Sequence, residues 1–526
     1  MKRIGIAVLA LALATAPVAS FGAPKLSKLS QGCVTCHEAL APGIIGQWKG
    51  STHAQRAVGC YECHQADRSR PDAWEHGGGW VVVAVSPRDC GRCHKQENAE
   101  FQPSHHARAG NILASLDNFL AEAVEGAREP FEPWSVTPVP GGTVGKVNGM
   151  ASVNLGCLAC HGSKVALQAK EGAPVTADDL KPGPDGKPTI PAAAARIFRD
   201  AEGKPVLVAG SWPNTGIGRI NLDGSLGSCT ACHSRHDFSA RRSRQPENCG
   251  KCHLGPDHPQ KEIYEESKHG VAYRDLKDKM NLGARKWVLG KDYSAAPTCA
   301  SCHMSANVNG GKVSHDIGLR ISWTNRPPVS LPMDTDKDHK VVTEADPVKR
   351  KAIVTDTAIQ KRDRMKQACL VCHGPSWVND FYTGYDQFVV LYNEKFAKPG
   401  TALMAELYKQ GLLTKKQFDE KIEWEWFYLW HHEGRRARHG ASMMGPDYAH
   451  WHGMYEVAED FYVKMIPEAL EIAHQAAAKG KVAEAKAVEA LVEKILARPE
   501  HAWFLEARTA VKTNQPVPPM PAPPTR

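Results

Sequence analysis

The sequence predicts a mainly α-helical protein with a loop-rich N-terminal region and a C-terminal region of long helices. Two observations support this division. All 16 cysteines lie in the first region, the last being Cys372, and Gly- and Pro-rich stretches interrupt it at 165–225 and 304–345. Residues 380–512 lack cysteine and carry apolar residues at the three- and four-residue spacing of amphipathic helices.

The N-terminus has the pattern of a secretory signal peptide at residues 1–23. Lys2 and Arg3 precede an apolar run at 4–16, and small residues follow up to Ala23. The run is short for a membrane span, and an uncleaved N-terminal anchor is the alternative. No later segment is apolar enough to cross a membrane. The sequence therefore predicts an exported, periplasmic protein whose mature chain has no transmembrane segment.

One pentapeptide pattern, Cys-x-x-Cys-His, occurs eight times and uses every cysteine in the chain. Two thiols at this spacing form thioethers to the vinyl groups of a haem, and the adjacent histidine becomes the proximal ligand of its iron. Neither a disulfide framework nor a set of zinc sites would require a histidine after every second cysteine. The predicted haem-binding cysteines are Cys33, Cys36, Cys60, Cys63, Cys90, Cys93, Cys157, Cys160, Cys229, Cys232, Cys249, Cys252, Cys299, Cys302, Cys369 and Cys372. The predicted proximal ligands are His37, His64, His94, His161, His233, His253, His303 and His373.

These motifs define the expected organisation of the chain. Residues 24–379 are predicted to form an octahaem cytochrome c domain, and 380–512 a helical C-terminal domain. The Pro-rich tail at 513–526 is predicted to be disordered. The formal charge of +8 could suggest nucleic-acid binding. Eight haems, however, would contribute on the order of −8 through their propionates, so we expect the basic residues to pair with propionates and predict no nucleic-acid partner.

Histidines outside the motifs are candidates for the second axial ligand. The chain has 24 histidines, and an electron-carrying haem is usually capped on both faces. The predicted distal ligands lie near a motif or in a short polar stretch that can fold back: His53, His106 (or its neighbour His105), His236, His269 and His315. Secondary candidates are His76, His339, His431 and His432. The sequence does not pair these residues with particular haems.

The sixth motif is followed by an Asp-His pair between two prolines, Pro256-Asp257-His258-Pro259. A carboxylate beside an imidazole can accept protons near neutral pH, so Asp257 and His258 are predicted catalytic residues. The alternative is that His258 is a further distal ligand and that Asp257 only orients it.

A second unusual stretch runs from Trp424 to Tyr462 and mixes aromatic residues, histidine and arginine. Arg435, Arg436 and Arg438 could hold haem propionates. Tyr448 lies in the sequence Gly-Pro-Asp-Tyr-Ala-His-Trp-His-Gly. From the pattern alone, an aromatic residue at helical spacing more often belongs to a core than to a cofactor contact.

Together, these features resemble the hydroxylamine oxidoreductase family of octahaem cytochromes. The resemblance rests on the eight motifs, Gly-Pro-Asp-His-Pro after the sixth motif, the Glu-Glu-Ser-Lys-His that follows, and Gly-Pro-Asp-Tyr…Trp-His-Gly near the C-terminus. It implies a five-coordinate haem at the fourth motif, which begins at Cys157, and the distal pair Asp257 and His258. It also implies a homotrimer in which a tyrosine of a neighbouring subunit is covalently linked to that haem. The matching residue is Tyr448, with Tyr455, Tyr462 and Tyr428 as alternatives.

The resemblance further implies an oxidoreductase that converts hydroxylamine to nitric oxide or nitrite. Seven bis-histidine haems would pass the electrons to a periplasmic cytochrome c. Three alternatives remain: a hydrazine dehydrogenase, an ammonia-forming reductase of nitrite or hydroxylamine, and a non-catalytic electron conduit. Every one of the eight motifs ends in histidine. In addition, a tyrosine occupies the expected C-terminal stretch. Both points favour oxidation.

Overall fold

The structure is a computed structural model that describes residues 25–115, 119–120, 137–139, 142–144, 151–180, 190–305 and 313–504. The predicted signal peptide and the predicted disordered tail lie outside these residues. Within them the chain is mainly helical with little sheet, so the predicted fold class is confirmed.

Short helices and loops make up the N-terminal region. Hydroxyl caps begin several of these helices; the Ser51 Oγ, for example, accepts a hydrogen bond of 3.1 Å from the Ala54 N–H. The α-helices span Lys28–Leu40, Pro42–Lys49, Thr52–Gln55, Cys60–His64, Pro87–Gly91, Lys95–Phe101, Ala151–Leu155, Cys157–His161, Ile190–Arg196, Ala240–Arg244, Pro246–Gly250, Gln260–Glu266, Lys268–Leu276 and Cys299–His303. Short 3₁₀ helices span Ala109–Ala114, Cys229–Ala231, Lys277–Lys279 and Ile317–Arg320.

Three of these helices, Cys60–His64, Cys157–His161 and Cys299–His303, coincide with haem-binding motifs. On a helix, residues i, i+3 and i+4 share one face. The two cysteines and the histidine of each motif therefore point towards the same side.

Two antiparallel hairpins are the only sheets in the part of the chain that the structure describes. Trp74–His76 pairs with Gly79–Val81, and Thr137–Val139 pairs with Gly142–Val144. The first hairpin turns through Gly77 and Gly78, whose φ angles are +59° and +82°. Two consecutive residues at positive φ favour glycine, which explains this tight turn.

The C-terminal region consists of long helices joined by π-helical turns. Two helices, Pro347–Ile353 and Ala358–Cys369, precede this region, and the second ends at the first cysteine of the last motif. The α-helices of the C-terminal region span Pro375–Tyr392, Lys398–Lys409, Lys421–Phe427, Gly434–Met443, Pro446–Ala449, Glu456–Glu459, Ile466–Ala478 and Val482–Leu496. The π-helical turns are Asn393–Ala397, Tyr428–Glu433, His450–Tyr455 and Asp460–Met465. The first long helix begins at Pro375, two residues after the last motif, rather than at the predicted 380.

The predicted helical periodicity forms a continuous apolar core in this region. Leu403, Leu407, Ile422 and Phe461 are fully buried within it. Burying one such side chain stabilises the fold by about 1.5–3 kcal/mol, so this core can hold the long helices in place. Among the described residues, every helix falls short of the length and apolar character that a membrane span requires.

Candidate haem sites and catalytic centre

A continuous cavity of about 2900 Å³ runs through the motif-bearing region. All eight motif histidines line it, together with every motif cysteine except Cys36 and Cys157. A protein interior normally has few voids larger than a water molecule. A large cavity lined by the thiols and imidazoles of the motifs therefore fits a set of c-type haems.

Thiols of different motifs lie close together along this cavity. Cys160 and Cys252, of the fourth and sixth motifs, are hydrogen-bonding neighbours. The same kind of contact joins the third motif to the fifth and the sixth to the seventh. In the haem-bearing protein these sulfur atoms would form the thioethers. Haems attached there would be close neighbours, as electron transfer between them requires.

Four motif histidines face a second imidazole across the cavity at a spacing that suits a haem. A metal–imidazole bond is about 2 Å long, and the ring centre lies roughly 1 Å farther, so two rings on one iron have centres roughly 6 Å apart. Five pairs involving these four histidines have ring-centre separations between 5.9 and 6.2 Å. The pairs are His37 with His76, His94 with His53, His253 with both His106 and His258, and His373 with His269.

Two further predicted distal ligands lie near a motif histidine. Burial, and then the neighbouring charge of His315, lower the pKa of His233 to about 4. Burial and then the charge of His64 lower the pKa of His236. His53, His106, His236, His269 and His315 all line the cavity. The structure thus places each of them where a distal ligand could act.

The secondary histidine candidates divide into two groups. His76 and His339 line the cavity, and His76 pairs with the first motif. His431 and His432 lie outside the cavity lining, in the π-helical turn Tyr428–Glu433. The structure therefore does not place these two residues as axial ligands.

Backbone contacts hold the fourth motif against residues 216–218. The N–H groups of Ile217 and Gly218 donate to the carbonyls of Cys160 and His161, each at 2.9 Å. Gly216 approaches so closely that a Cβ atom there would lie 2.0 Å from the Gly162 nitrogen. Glycine is therefore required at 216 for this approach, which fixes the end of the motif helix.

Asp257 and His258 form a hydrogen-bonded pair beside the fourth motif. His258 Nδ1 is hydrogen-bonded to Asp257 Oδ1, and its Nε2 lies 3.1 Å from the Cys252 carbonyl oxygen. The Cys160 thiol lies 3.9 Å from the Lys251 carbonyl oxygen, one residue before the Cys252 carbonyl that His258 contacts, so the pair lies where the sixth motif meets the fourth. Both ring nitrogens of His258 thus face oxygen atoms, while its ring centre also lies 6.2 Å from that of the proximal ligand His253. The geometry therefore fits both of the predicted roles, proton exchange and distal ligation.

The electrostatics of the pair follow from its burial and its partners. Burial raises the pKa of the Asp257 carboxyl, but the hydrogen bond from His258 and the charges of His258, His431 and Arg435 leave it well below its usual range. Burial lowers the pKa of His258, but its hydrogen bond to Asp257 and the charge of that residue raise it overall. The imidazole can therefore take a proton and hold it as an ion pair.

Arg435 connects this pair to the C-terminal helices. Its Nη1 lies 2.9 Å from Asp257 Oδ2, and its Nε donates to the Arg326 carbonyl at 2.9 Å. Arg436 instead pairs with carboxylates, and the fully buried Arg438 donates to the Ser330 hydroxyl at 2.7 Å. The three arginines that we expected to hold propionates thus have protein partners.

Comparisons with known proteins place this architecture among multihaem cytochromes. Residues 223–420 match the family model described as "Seven times multi-haem cytochrome CxxCH". A "Probable nitrite reductase-hydroxylamine oxidoreductase fusion protein" of Kuenenia stuttgartiensis is 24% identical over 372 residues, 68% of this chain. Those residues are 35% of the relative, so the chain spans about a third of its length. The chain is a multihaem cytochrome with hydroxylamine oxidoreductase-like relatives.

Solved structures support the same fold for this multihaem cytochrome. A "Hypothetical multiheme protein" is 24% identical, with a TM-score of 0.64 and coverage of 87% of this chain and 97% of its own. The "reducing HAO-like protein complex" of Kuenenia stuttgartiensis is 18% identical, with a TM-score of 0.54 and coverage of 86% and 87%. These structures support the fold; taken with the family model and the fusion-protein relative, they confirm the predicted resemblance, and the family model supports c-type haems.

The four candidate tyrosines of the multihaem cytochrome differ in accessibility. Tyr448 is partly exposed and lies outside the haem-cavity lining of its own chain, which is compatible with a role towards another subunit. Tyr455 and Tyr428 are 55% and 41% exposed. Tyr462 is buried, and its hydroxyl lies 2.7 Å from His501 Nδ1. The structure thus makes Tyr462 a core residue, whereas Tyr448, Tyr455 and Tyr428 all lie outside the cavity lining and are accessible.

Sequence reasoning missed one histidine of the site, His439. It lines the cavity, and its Nε2 lies 3.5 Å from the Gln260 amide nitrogen. The Gln260 side-chain oxygen lies 3.3 Å from Nδ1 of the proximal ligand His253. His439 comes four residues after Arg435, one helical turn along the same face. Counting histidines on that face would have found it.

Proposed function

We propose that this multihaem cytochrome oxidises hydroxylamine to nitric oxide or nitrite at the haem of the fourth motif. The observation that carries the proposal is the Asp257–His258 pair, which lies where the sixth motif meets the fourth and is held in place by Arg435. A partly buried proton acceptor next to one haem is what a substrate that must lose several protons requires.

The stoichiometry sets what the protein residues must do. Oxidation of hydroxylamine to nitric oxide releases three electrons and three protons; oxidation with one water to nitrite releases four electrons and five protons. When bound, the haem supplies an electron-withdrawing iron with one open position and a path for the electrons. His258 takes each proton, Asp257 stabilises the resulting imidazolium, and Arg435 fixes the carboxylate.

Eight haems suit this reaction, because several electrons must leave before a reactive nitrogen intermediate escapes. We propose that seven are capped by a second histidine, with His53, His106, His236, His269 and His315 among the distal ligands. The ring separations near 6 Å support this assignment for three of these five residues. The electrons would then leave to a periplasmic cytochrome c.

Tyr448 is proposed to reach the fourth-motif haem of a neighbouring copy, which would make the protein a homotrimer. Its segment is fixed on the adjacent helix, because the Asp447 N–H donates to Glu266 Oε1 at 3.1 Å. The backbone of this segment is therefore held in place, while the Tyr448 ring lies outside the cavity of its own chain. This position supports a contact between Tyr448 and a neighbouring subunit. Export through the predicted signal peptide at 1–23 would place the assembly in the periplasm, where c-type haems are attached.

Reduction is the second candidate, and the names of two similar proteins favour it. One is called a nitrite reductase-hydroxylamine oxidoreductase fusion and the other a reducing HAO-like complex. The same proton-exchanging pair could donate protons to bound nitrite or hydroxylamine on the way to ammonia.

Side-by-side turnover of the purified holoprotein tests these readings. Hydroxylamine and hydrazine are supplied with an oxidised cytochrome c, and nitrite and hydroxylamine with a reduced electron donor. Oxidation of hydroxylamine faster than any other conversion is the expected result. Faster ammonia formation would favour a reductase, and faster hydrazine oxidation would favour a hydrazine dehydrogenase. Absence of turnover with every substrate would favour a non-catalytic electron carrier. Haem analysis should give eight haems per chain.

A further inference from the structure

Arg219 is a fully buried arginine that lies one layer behind the wall of the haem cavity. The residue is only 1% exposed, and its Nη2 donates to the Val85 carbonyl at 2.6 Å. Its guanidinium also lies 5.4 Å from the centre of the Trp212 ring. Val85 and Trp212 both line the cavity. One peptide group and one indole ring therefore separate the positive charge of Arg219 from the haem space.

The partners of this guanidinium are neutral oxygen atoms. Besides the Val85 contact, Nε donates to Asn221 Oδ1 at 2.7 Å, and Nη1 donates to the Asn214 carbonyl at 3.4 Å. Among the residues that the structure describes, no carboxylate forms an ion pair with Arg219. Burying a charge without a counter-charge costs stability. The fold therefore keeps a cation at this place that packing alone would not favour.

Two further charged side chains act on Arg219. Arg235 lies against the same indole, with its guanidinium 5.6 Å from the centre of the Trp212 ring. The carboxylate of Asp223 accepts hydrogen bonds from two serine hydroxyls rather than from Arg219. Burial, and then the charge of Arg235, lower the pKa of Arg219 to about 10, and Asp223 opposes them with a smaller effect. Arg219 therefore remains charged at neutral pH.

Backbone contacts place Arg219 between the third and fifth motifs. Val85, which accepts from the guanidinium, precedes Cys90 by five residues. On the other side, the Arg219 carbonyl accepts from the N–H of Gly227, two residues before Cys229, at 2.6 Å. Cys90 and Cys229 are themselves hydrogen-bonding neighbours. The charge of Arg219 therefore acts on the haem positions of these two motifs.

The sixth motif is a branch point for electrons that leave the fourth. It meets the fifth motif through Asn248, whose Nδ2 donates to the Cys232 carbonyl at 3.2 Å. It meets the seventh motif through the contact between Cys249 and Cys299. Electrons can thus continue towards the fifth and third motifs or towards the seventh. Arg219 lies beside the first of these branches.

We propose that Arg219 is a fixed positive charge that raises the reduction potential of the haems of the third and fifth motifs and so draws electrons along that branch. A nearby cation stabilises a reduced haem, because reduction adds an electron. Each haem that is oxidised reduces the next, so the transfer needs no further reactant. Arg219 acts through its charge and is a positioning residue. The choice of branch rests on the proposed function, whereas the raised potentials do not.

The test is an equilibrium redox titration of the purified holoprotein, in which electron paramagnetic resonance follows individual low-spin haems. His53→Ala, which removes the imidazole facing His94, identifies the signal of the third-motif haem. A unit charge roughly 10 Å away changes a reduction equilibrium about tenfold at an effective dielectric constant of about 20. In Arg219→Gln, the ratio of reduced to oxidised haem at the wild-type midpoint should therefore fall about tenfold, a shift of about 59 mV.

Arg219→Lys separates the effect of charge from that of structure. Neither lysine nor glutamine can reproduce all the hydrogen bonds of Arg219, but lysine keeps the charge, so the wild-type ratio should be largely restored. Arg196→Gln is the matched control. The Arg196 side chain is 43% exposed and pairs with Asp179, so its charge is screened and the titration should not change. No shift in Arg219→Gln, or equal shifts in Arg219→Gln and Arg219→Lys, would overturn the proposal.

Asp223→Asn gives a test that does not depend on an arginine variant. Asparagine can still form hydrogen bonds with the Ser86 and Ser225 hydroxyls, but it removes the negative charge that opposes Arg235 at Arg219. The same two haems should become easier to reduce, and unchanged potentials would overturn the proposal. These titrations use no substrate. They can therefore fail while hydroxylamine oxidation holds, and turnover of hydroxylamine can fail while they succeed.

Discussion

Replacing Asp257 with asparagine tests the centre of the proposed site. Asparagine keeps the size of the side chain but removes the charge that raises the pKa of His258. Asp257 accepts hydrogen bonds from His258 and Arg435 through two different oxygens. Asparagine has only one side-chain oxygen, so it cannot reproduce both contacts in this way. Because Asp257 supports the proposed base His258, its replacement should cost about 10²–10⁴-fold in rate, the range of general-base catalysis, or about 3–5 kcal/mol of transition-state stabilisation.

The assay is steady-state hydroxylamine oxidation by Asp257→Asn with cytochrome c as acceptor. The haem content and the reduced spectrum should match the wild type, because Asp257 is not a predicted iron ligand. Asp275→Asn changes an exposed aspartate outside the site and serves as the control. An Asp257→Asn enzyme with more than half of the wild-type kcat would refute the assigned role.

Three other variants test separate parts of the reasoning. Tyr448→Phe should abolish the red-shifted band of a cross-linked haem and weaken the trimer, as measured by absorbance and analytical ultracentrifugation. His53→Ala removes the imidazole facing His94, so one haem should become high-spin in electron paramagnetic resonance while remaining covalently attached. Asp356 has a pKa lowered by hydrogen bonds from Arg364 and a neighbouring lysine, which outweigh its burial. Its stabilisation is therefore present above the unfolded value of about 4 and lost as pH falls below it. The difference in melting temperature between the wild type and Asp356→Asn should accordingly shrink from pH 7 to pH 3.

Local features of this molecule could be predicted from the sequence because their causes are local. The Cys-x-x-Cys-His spacing matches one helical turn, and the structure shows such helices at Cys60–His64 and Cys299–His303. Apolar spacing in the C-terminal region likewise predicted helices that form one core. The pairing of distant histidines was beyond sequence reasoning, since contacts such as His253 with His106 depend on the tertiary fold.

The π-helical turns also escaped prediction, for a physical reason. A π turn inserts one residue into a helix, and the apolar period on either side stays close to 3.6 residues. His431 lies in the π-helical turn Tyr428–Glu433 and is close to Asp257. Arg435, in the helix that follows, contacts the same carboxylate. Counting apolar residues cannot reveal which polar side chains such an insertion brings inward.

The contact between Arg435 and Asp257 links the two regions of the chain functionally. Asp257 belongs to the motif-bearing region, and Arg435 to the C-terminal helices. Removing one partner from a buried ion pair costs about 3–5 kcal/mol, because the remaining charge is left without compensation. Without Arg435, burial would therefore raise the pKa of Asp257 and weaken its hold on a protonated His258. The C-terminal helices thus belong to the proposed catalytic centre, because His431 and Arg435 add to the larger effect of His258 in keeping the Asp257 carboxylate ionised.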